Sequence, residues 1–356
     1  MNLFAELGMR YPLIQAPMAG VQNSALALAV TGAGCLGSLP AAMLSPTDLR
    51  SELARLAASG LGPFNINFFC HQQGDPDPQQ VARWQQALAP FYAEFGVSTD
   101  AVSSGPGRAP FNAEHAAILT EFKPAVVSFH FGLPEPGLLA RVKATGAKVF
   151  ASATTVAEAQ WLARHGADAI IAQGLEAGGH RGHFLNEDLA WQQGTFTLLP
   201  QIVAAVELPI IAAGGIVDGK GIGAALALGA SAVQMGTAFL CCHEATTSAL
   251  HRAAIHSAQS QHTALTKVFS GRPARGIVNR LMRELGSLSD LAPDFPHASS
   301  ALAPLRAAAE KVGDSSFSPL WAGQNVSGCR DLPAAELIAA WVKEAGLALS
   351  LLYIGR

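Results

Sequence analysis

Residues 209–237 read PIIAAGGIVDGKGIGAALALGASAVQMGT. The two ends, Pro209–Gly214 and Ala232–Thr237, are short apolar runs with no in-and-out alternation. Between them Gly219–Leu228 carries an Ala- and Leu-rich helical pattern. Strands of this kind are buried on both faces, as in a parallel sheet, and strand–helix–strand is the unit that builds one. Working outward, the same unit recurs. Strands are expected at Leu13–Met18, Gly34–Leu39, Phe64–Phe69, Ala125–Phe131, Lys148–Ala153 and Ala169–Gln173, with helices such as Ser45–Ser59, Val156–His165 and Leu199–Val206 between them. Eight strand–helix repeats favour an α/β fold of the (β/α)8 TIM-barrel type over a doubly wound sheet.

Two stretches interrupt the repeat. Residues 71–115 are polar, rich in Pro, Gln and Gly, and too long for a simple strand-to-helix loop. Residues 241–320 follow the eighth strand with helix-like pieces and Pro, Ser and Gly breaks. The expected organisation is a barrel over 1–240 with an insertion at about 71–115, a smaller, mostly helical lid or substrate region over 241–320, and a C-terminal segment over 321–356. A helix near Pro333–Leu351 would close the barrel.

Composition narrows the class. Of 356 residues, 50% are hydrophobic and 14% charged, with a formal net charge of −3, so disorder is excluded. Without a basic surplus no nucleic-acid partner is expected, and no apolar run reaches the roughly 18 residues of a membrane span. The N-terminus has no basic stretch leading into an apolar one, so a cytoplasmic location is expected. Five cysteines without a Cys-x-x-Cys pair argue against a disulfide framework or a structural zinc site.

In a TIM barrel the chemistry sits in the loops leaving the C-terminal ends of the strands, and phosphate groups often lie after strands seven and eight. There the chain has Gly214-Gly215, and then Gln234-Met235-Gly236-Thr237. Paired glycines let backbone N–H groups approach an anion, and the helix from Gly219 would direct its positive end there. No GxxxxGK[ST] occurs, which points to one phosphate rather than a nucleoside triphosphate. After strand six comes Gln173-Gly-Leu-Glu-Ala-Gly178-Gly179-His180-Arg-Gly-His183. This backbone can fold tightly against a flat ligand and leave His180 projecting as a general base or hydrogen-bond donor. His183 is open between a role and none.

Asn67 ends a buried strand, where its amide must bond either a ligand ring or neighbouring backbone. His130 ends strand four facing the mouth, and Met18 ends strand one as an apolar shelf suited to an aromatic ring. The lysines fall at strand starts, on helices or in later loops, which leaves Schiff-base chemistry without an obvious nucleophile. Glu176 and Asp218 do not make a paired acid and base. A metal would rest mainly on His71, His130 and His180, and none is expected. One phosphate site, a Met shelf, amides and a histidine suit flavin mononucleotide (FMN).

These segments resemble the nitronate monooxygenases of class I along nearly the whole chain. The resemblance is carried by Gln15-Ala-Pro-Met-Ala-Gly20, Pro63-Phe-Asn-Ile-Asn-Phe-Phe69, Val127-Ser-Phe-His-Phe-Gly132, Gln173-Gly-Leu-Glu-Ala-Gly-Gly-His180, Ala213-Gly-Gly-Ile216 with Gln234-Met-Gly-Thr237, Phe269-Ser-Gly-Arg-Pro-Ala-Arg275 and Leu320-Trp-Ala-Gly-Gln324. It implies FMN-dependent oxidation of alkyl nitronates, such as propionate 3-nitronate, by O2 to a carbonyl compound with nitrite or nitrate. His180 would be the catalytic histidine and His130 a wall of the substrate pocket. Met18, Asn67 and Gln173 would contact the flavin ring, and Gly178 and Gly179 would lie along the cofactor. Gly214, Gly215, Gln234, Gly236 and Thr237 would hold the ribityl phosphate. The Glu-Ala-Gly-Gly-His piece is shared with FMN-dependent enoyl-ACP and NADH:quinone reductases, so an NAD(P)H reductase stays as the alternative. The lid has no tyrosine and offers Phe269, Phe295, Phe317 and Trp321 instead. Arg272 and Arg275 are open between attracting an anionic substrate and a structural role.

Overall fold

The computed structural model describes residues 3–72, 74–98 and 108–346. Eight parallel strands form the barrel: β1 (Leu13–Gln15), β2 (Gly37–Pro40), β3 (Phe64–Phe69), β4 (Val126–His130), β5 (Lys148–Ala153), β6 (Ala169–Gln173), β8 (Ile210–Ala213) and β9 (Ala232–Met235). β1 pairs with β9 in the register Leu13↔Val233, and a parallel bridge between Ile14 and Leu36 joins β1 to the approach to β2, closing the ring. Every residue of β3 and of β6 is buried, as strands covered inside and outside must be. The short helix Leu3–Glu6 plugs the bottom of the barrel with Phe4, whose ring meets Phe150 edge-on at 6.1 Å.

Several strands end sooner than the apolar runs suggest. β1 stops at Gln15 because Pro17 has no N–H for the ladder, and Met18 lies beyond it in a loop whose backbone N–H bonds Gln22 Oε1 at 2.9 Å. β8 stops at Ala213 because Gly214 and Gly215 take φ of 118° and 72°, which only glycine adopts without strain. Helix starts are capped as their sequences imply. Ser45 accepts from the Asp48 N–H, with Pro46 in the first turn of helix Pro46–Ser59, and Thr155 accepts from the Glu158 N–H at the head of Val156–Arg164.

After β9 the chain leaves the barrel and returns as helix Ala334–Glu344, which packs between helices Ser24–Gly32 and Gly219–Ala227. The excursion has an apolar core of its own. Helix Pro78–Glu94, from the stretch interrupting the repeat after β3, packs on helix Ala298–Lys311 and shares that core through Trp84, Leu88, Phe91 and Tyr92. Trp84 Nε1 donates to the Ala298 carbonyl at 3.0 Å, and the Tyr92 hydroxyl donates to that of Ala301. The two interrupting segments therefore meet in one cap over the C-terminal end of the barrel. The cap is not only helical: β10 (Thr263–Thr266) and β11 (Ala274–Ile277) pair antiparallel, and β11 takes β7 (Gly179–His180) on its other edge.

Candidate active site

A cavity opens at the C-terminal ends of the strands beneath the cap, with about 1340 Å³ of space including its mouth. The twelve residues expected at catalysis, cofactor or substrate pocket all line it: Met18, Asn67, His130, Gln173, Gly178, Gly179, His180, Gly214, Gly215, Gln234, Gly236 and Thr237. His183, Arg272 and Arg275 do not. Arg275 is buried and donates to the Leu175 carbonyl at 2.8 Å, while Arg272 lies 4.3 Å over the Phe131 ring and donates to the His183 carbonyl. Both arginines hold the walls together.

On one side of the cavity the backbone forms a cradle. Among the described residues no acceptor meets the N–H of Gly215 or Ile216, although both residues line the cavity. The helix that follows does not help. Its N-terminus is capped by Asp218, which accepts from the Gly221 N–H at 2.7 Å, and the Gly219 N–H goes to Glu344 Oε2 at 2.9 Å. Two carboxylates occupy the positive end expected to face a phosphate, which leaves the loop amides and the short turn Thr237–Phe239 after β9. The segment Leu320–Asn325 seals the cradle from above. Gly323 N–H donates to Thr237 Oγ1 at 2.9 Å, and a Cβ on Gly178 would lie 2.6 Å from the Ala322 carbonyl carbon. Gly178→Ala should therefore cost roughly 1–3 kcal/mol of stability, read as a lowered urea midpoint. An unchanged midpoint would mean that the segment does not press on this loop.

The opposite side is built around His180. Far from projecting freely, it is a strand residue, paired with Ala274 across the small sheet. Its carbonyl accepts from Gln173 Nε2 at 2.9 Å and from His130 Nε2 at 3.1 Å. Since a carbonyl only accepts, His130 carries its proton on Nε2, and its Nδ1 takes the Ser152 hydroxyl at 3.0 Å. Gln173 spends the other end of its amide on the Gly182 N–H at 2.8 Å, so it holds the loop rather than offering a free amide to a ligand. The fully buried Arg181 braces the same loop, donating to the Gly174 and Gln173 carbonyls and to Gln192 Oε1.

The His180 ring bonds Ser270 Oγ through Nε2 at 2.8 Å, which leaves Nδ1 as the nitrogen free to meet a ligand. Phe295 and Trp321 stand 5.4 and 5.6 Å from it, centre to centre, with Phe69 and Phe131 behind. Burial in this cage, followed by the charge of Arg108, holds His180 well below the ordinary histidine range. Burial likewise pulls His130 down to about 4, so both rings are neutral at pH 7. Of the lid aromatics, Phe317 lies in the cap core and Phe269 packs edge-on against Trp321.

Known proteins match this architecture throughout. The family model for nitronate monooxygenase covers residues 2–344. The chain belongs to the nitronate monooxygenase family. It is 42% identical to a nitronate monooxygenase of Pseudomonas aeruginosa over 347 residues, 95% of this chain and 97% of that one. Among solved structures, a nitroalkane oxidase from Streptomyces ansochromogenes superposes with a TM-score of 0.89 at 38% identity, covering 97% and 98% of the two chains. FabK from Thermotoga maritima is more distant, at 0.72 and 27%, with 97% and 96% covered. This family member lines its cavity with residues that its sequence did not flag, among them Arg108, Ser152, His251 and Asn325. Arg108 sits alone in a Gly- and Pro-rich stretch and His251 on a cap helix, so neither carries a motif. No helix among the described residues is long and apolar enough to cross a membrane.

Proposed function

We propose that the protein oxidises alkyl nitronates with O2, using FMN seated across the barrel mouth, and releases a carbonyl compound with nitrite or nitrate. The observation carrying this reading is the two-sided cavity: unpartnered backbone amides at one end, and a neutral histidine in an aromatic cage at the other. The chain's residues fit the flavin. The Gly215 and Ile216 amides would take the phosphate. Met18, whose sulfur would lie 3.7 Å from a Cβ on Gly236, offers an apolar shelf for the ring. Asn67 commits its amide nitrogen to Ser128 at 3.0 Å, so its Oδ1 is left for a ring N–H. When bound, the flavin supplies the electron transfer between substrate and oxygen.

His180 works through Nδ1. A serine hydroxyl both donates and accepts, so the Ser270–His180 pair can present either a lone pair or an N–H to the cavity. A nitronate, already an anion, takes the N–H; a neutral nitroalkane would need the lone pair to remove its α-proton. A ring held neutral at pH 7 by burial keeps both options, and a preformed nitronate needs only the N–H. The aromatic walls and cap exclude water from the reacting atoms.

The visible spectrum of the purified protein is the first test, with a flavin band expected. Anaerobic mixing with propionate 3-nitronate should then bleach it, while NADH should leave it intact. Rapid bleaching by NADH with no response to the nitronate would overturn this reading in favour of an NAD(P)H reductase.

A further inference from the structure

With His180 and His130 neutral, an anionic substrate must find its countercharge elsewhere, and the cavity lining offers one fixed charge. Among the described lining residues there is no Asp, Glu or Lys, and Arg108 is the only arginine. We infer that Arg108 is the anion anchor of the site, gripping the two nitrogen-bound oxygens of the planar nitronate; this rests on the reading above. Three observations support it. First, among the described residues Arg108 makes no salt bridge and its guanidinium donates no hydrogen bond, unlike Arg181, Arg252, Arg272 and Arg275, each committed to backbone carbonyls. A half-buried guanidinium without a partner is costly unless a ligand completes it.

Second, its place is right. The guanidinium carbon stands 5.8 Å from the centre of the Phe295 ring, which itself stands 5.4 Å from His180, and its field is the foremost charge acting on His180. Third, the shape matches: a planar fork of N–H donors pairs with two oxygens of a planar oxoanion, which a point-like ammonium cannot do as well. His71 flanks the anchor. It is buried and neither ring nitrogen has a hydrogen-bond partner among the described residues, although the Arg108 backbone lies beside it.

Nitrate, a planar oxoanion that is not oxidised, is the probe. Calorimetric titration of the flavin-loaded protein should show nitrate binding, weakened about 10- to 100-fold in Arg108→Met and to a lesser degree in Arg108→Lys. With a preformed nitronate the same variants should raise KM by a similar factor and change kcat far less, as loss of uniform binding does. A nitrate affinity within twofold of wild type in a folded Arg108→Met protein would overturn the anchor, and Arg108→Lys matching wild type would remove its bidentate grip. Nitrate binding that depends on Arg108 in a protein inert toward nitronates would uphold the anchor while sinking the proposed reaction.

Discussion

His180→Asn should lower kcat/KM for a neutral nitroalkane by roughly 10²–10⁴ while changing the value for its preformed nitronate by less than about tenfold. The asymmetry follows from what asparagine keeps and loses. Its amide still donates a hydrogen bond into the cavity, which an incoming anion needs, but it has no basic lone pair to take an α-proton. Folding should survive, because the hydrogen bonds pinning this residue to Gln173 and His130 use its carbonyl rather than its side chain. His180→Phe removes donor and base together and should slow both substrates. The measurement is steady-state oxygen uptake with each substrate form, started before the two interconvert. Equal losses for both forms in His180→Asn would refute proton removal as the distinction, and no loss for either would take the imidazole out of the chemistry.

Much of this geometry was legible in the chain, for physical reasons. Strands buried on both faces cannot alternate, so Phe64–Phe69 and Ala169–Gln173 declare themselves, and Gly214-Gly215 announces a turn that other residues would strain to make. What escaped depends on partners far away in sequence. That the helix from Gly219 has its N-terminus already filled needs Glu344, 125 positions on. That His180 is a strand residue needs β11, whose Ala-Arg-Gly-Ile has little strand character of its own. That the residues after β3 and those after β9 form one cap needs Trp84 to meet Ala298, 214 positions away. Gln173, expected at the flavin ring, and Arg275, open between substrate and structure, escape for a related reason. A polar side chain near a site reads the same whether it serves ligand or backbone, and only its hydrogen bonds decide. Arg108 was invisible because its importance lies in what its guanidinium lacks among the described residues, a hydrogen-bond or salt-bridge partner.

The second large effect concerns stability in acid. Burial holds His71, His130 and His251 at about 4 and His183 at about 3, against 6.5 for a free imidazole. Each is neutral when folded and charges readily when unfolded. As pH falls below 6.5 the unfolded chain therefore binds protons that the native state refuses, and stability drops until the folded values are reached. Above about pH 7 the groups are neutral in both states and the effect vanishes. A shift of this size amounts to about 3 kcal/mol for one group. Relaxation of the native state around a charged ring reduces each share, and the set together contributes roughly 5–10 kcal/mol, comparable with the whole stability of a typical domain. The urea midpoint should therefore fall steadily from pH 7 to pH 4.5, with cooperative unfolding soon below. Glu94 and Glu310, held below the ordinary carboxylate range by their arginine and serine partners, lose their contribution only at lower pH, so the window from 6.5 to 4.5 belongs to the histidines. His71 provides the sharpest control. It sits among Phe69, Phe131 and Phe295, buried beside the Arg108 backbone, so His71→Phe removes a desolvated polar ring from an aromatic pocket. That variant should flatten the acid limb by about 2–3 kcal/mol at pH 4.5 and leave the midpoint at pH 8 nearly unchanged or raised. A wild-type midpoint that stays level from pH 6.5 to 4.5 would show that these imidazoles are not held neutral, and the uncharged His180 cage would fall with them.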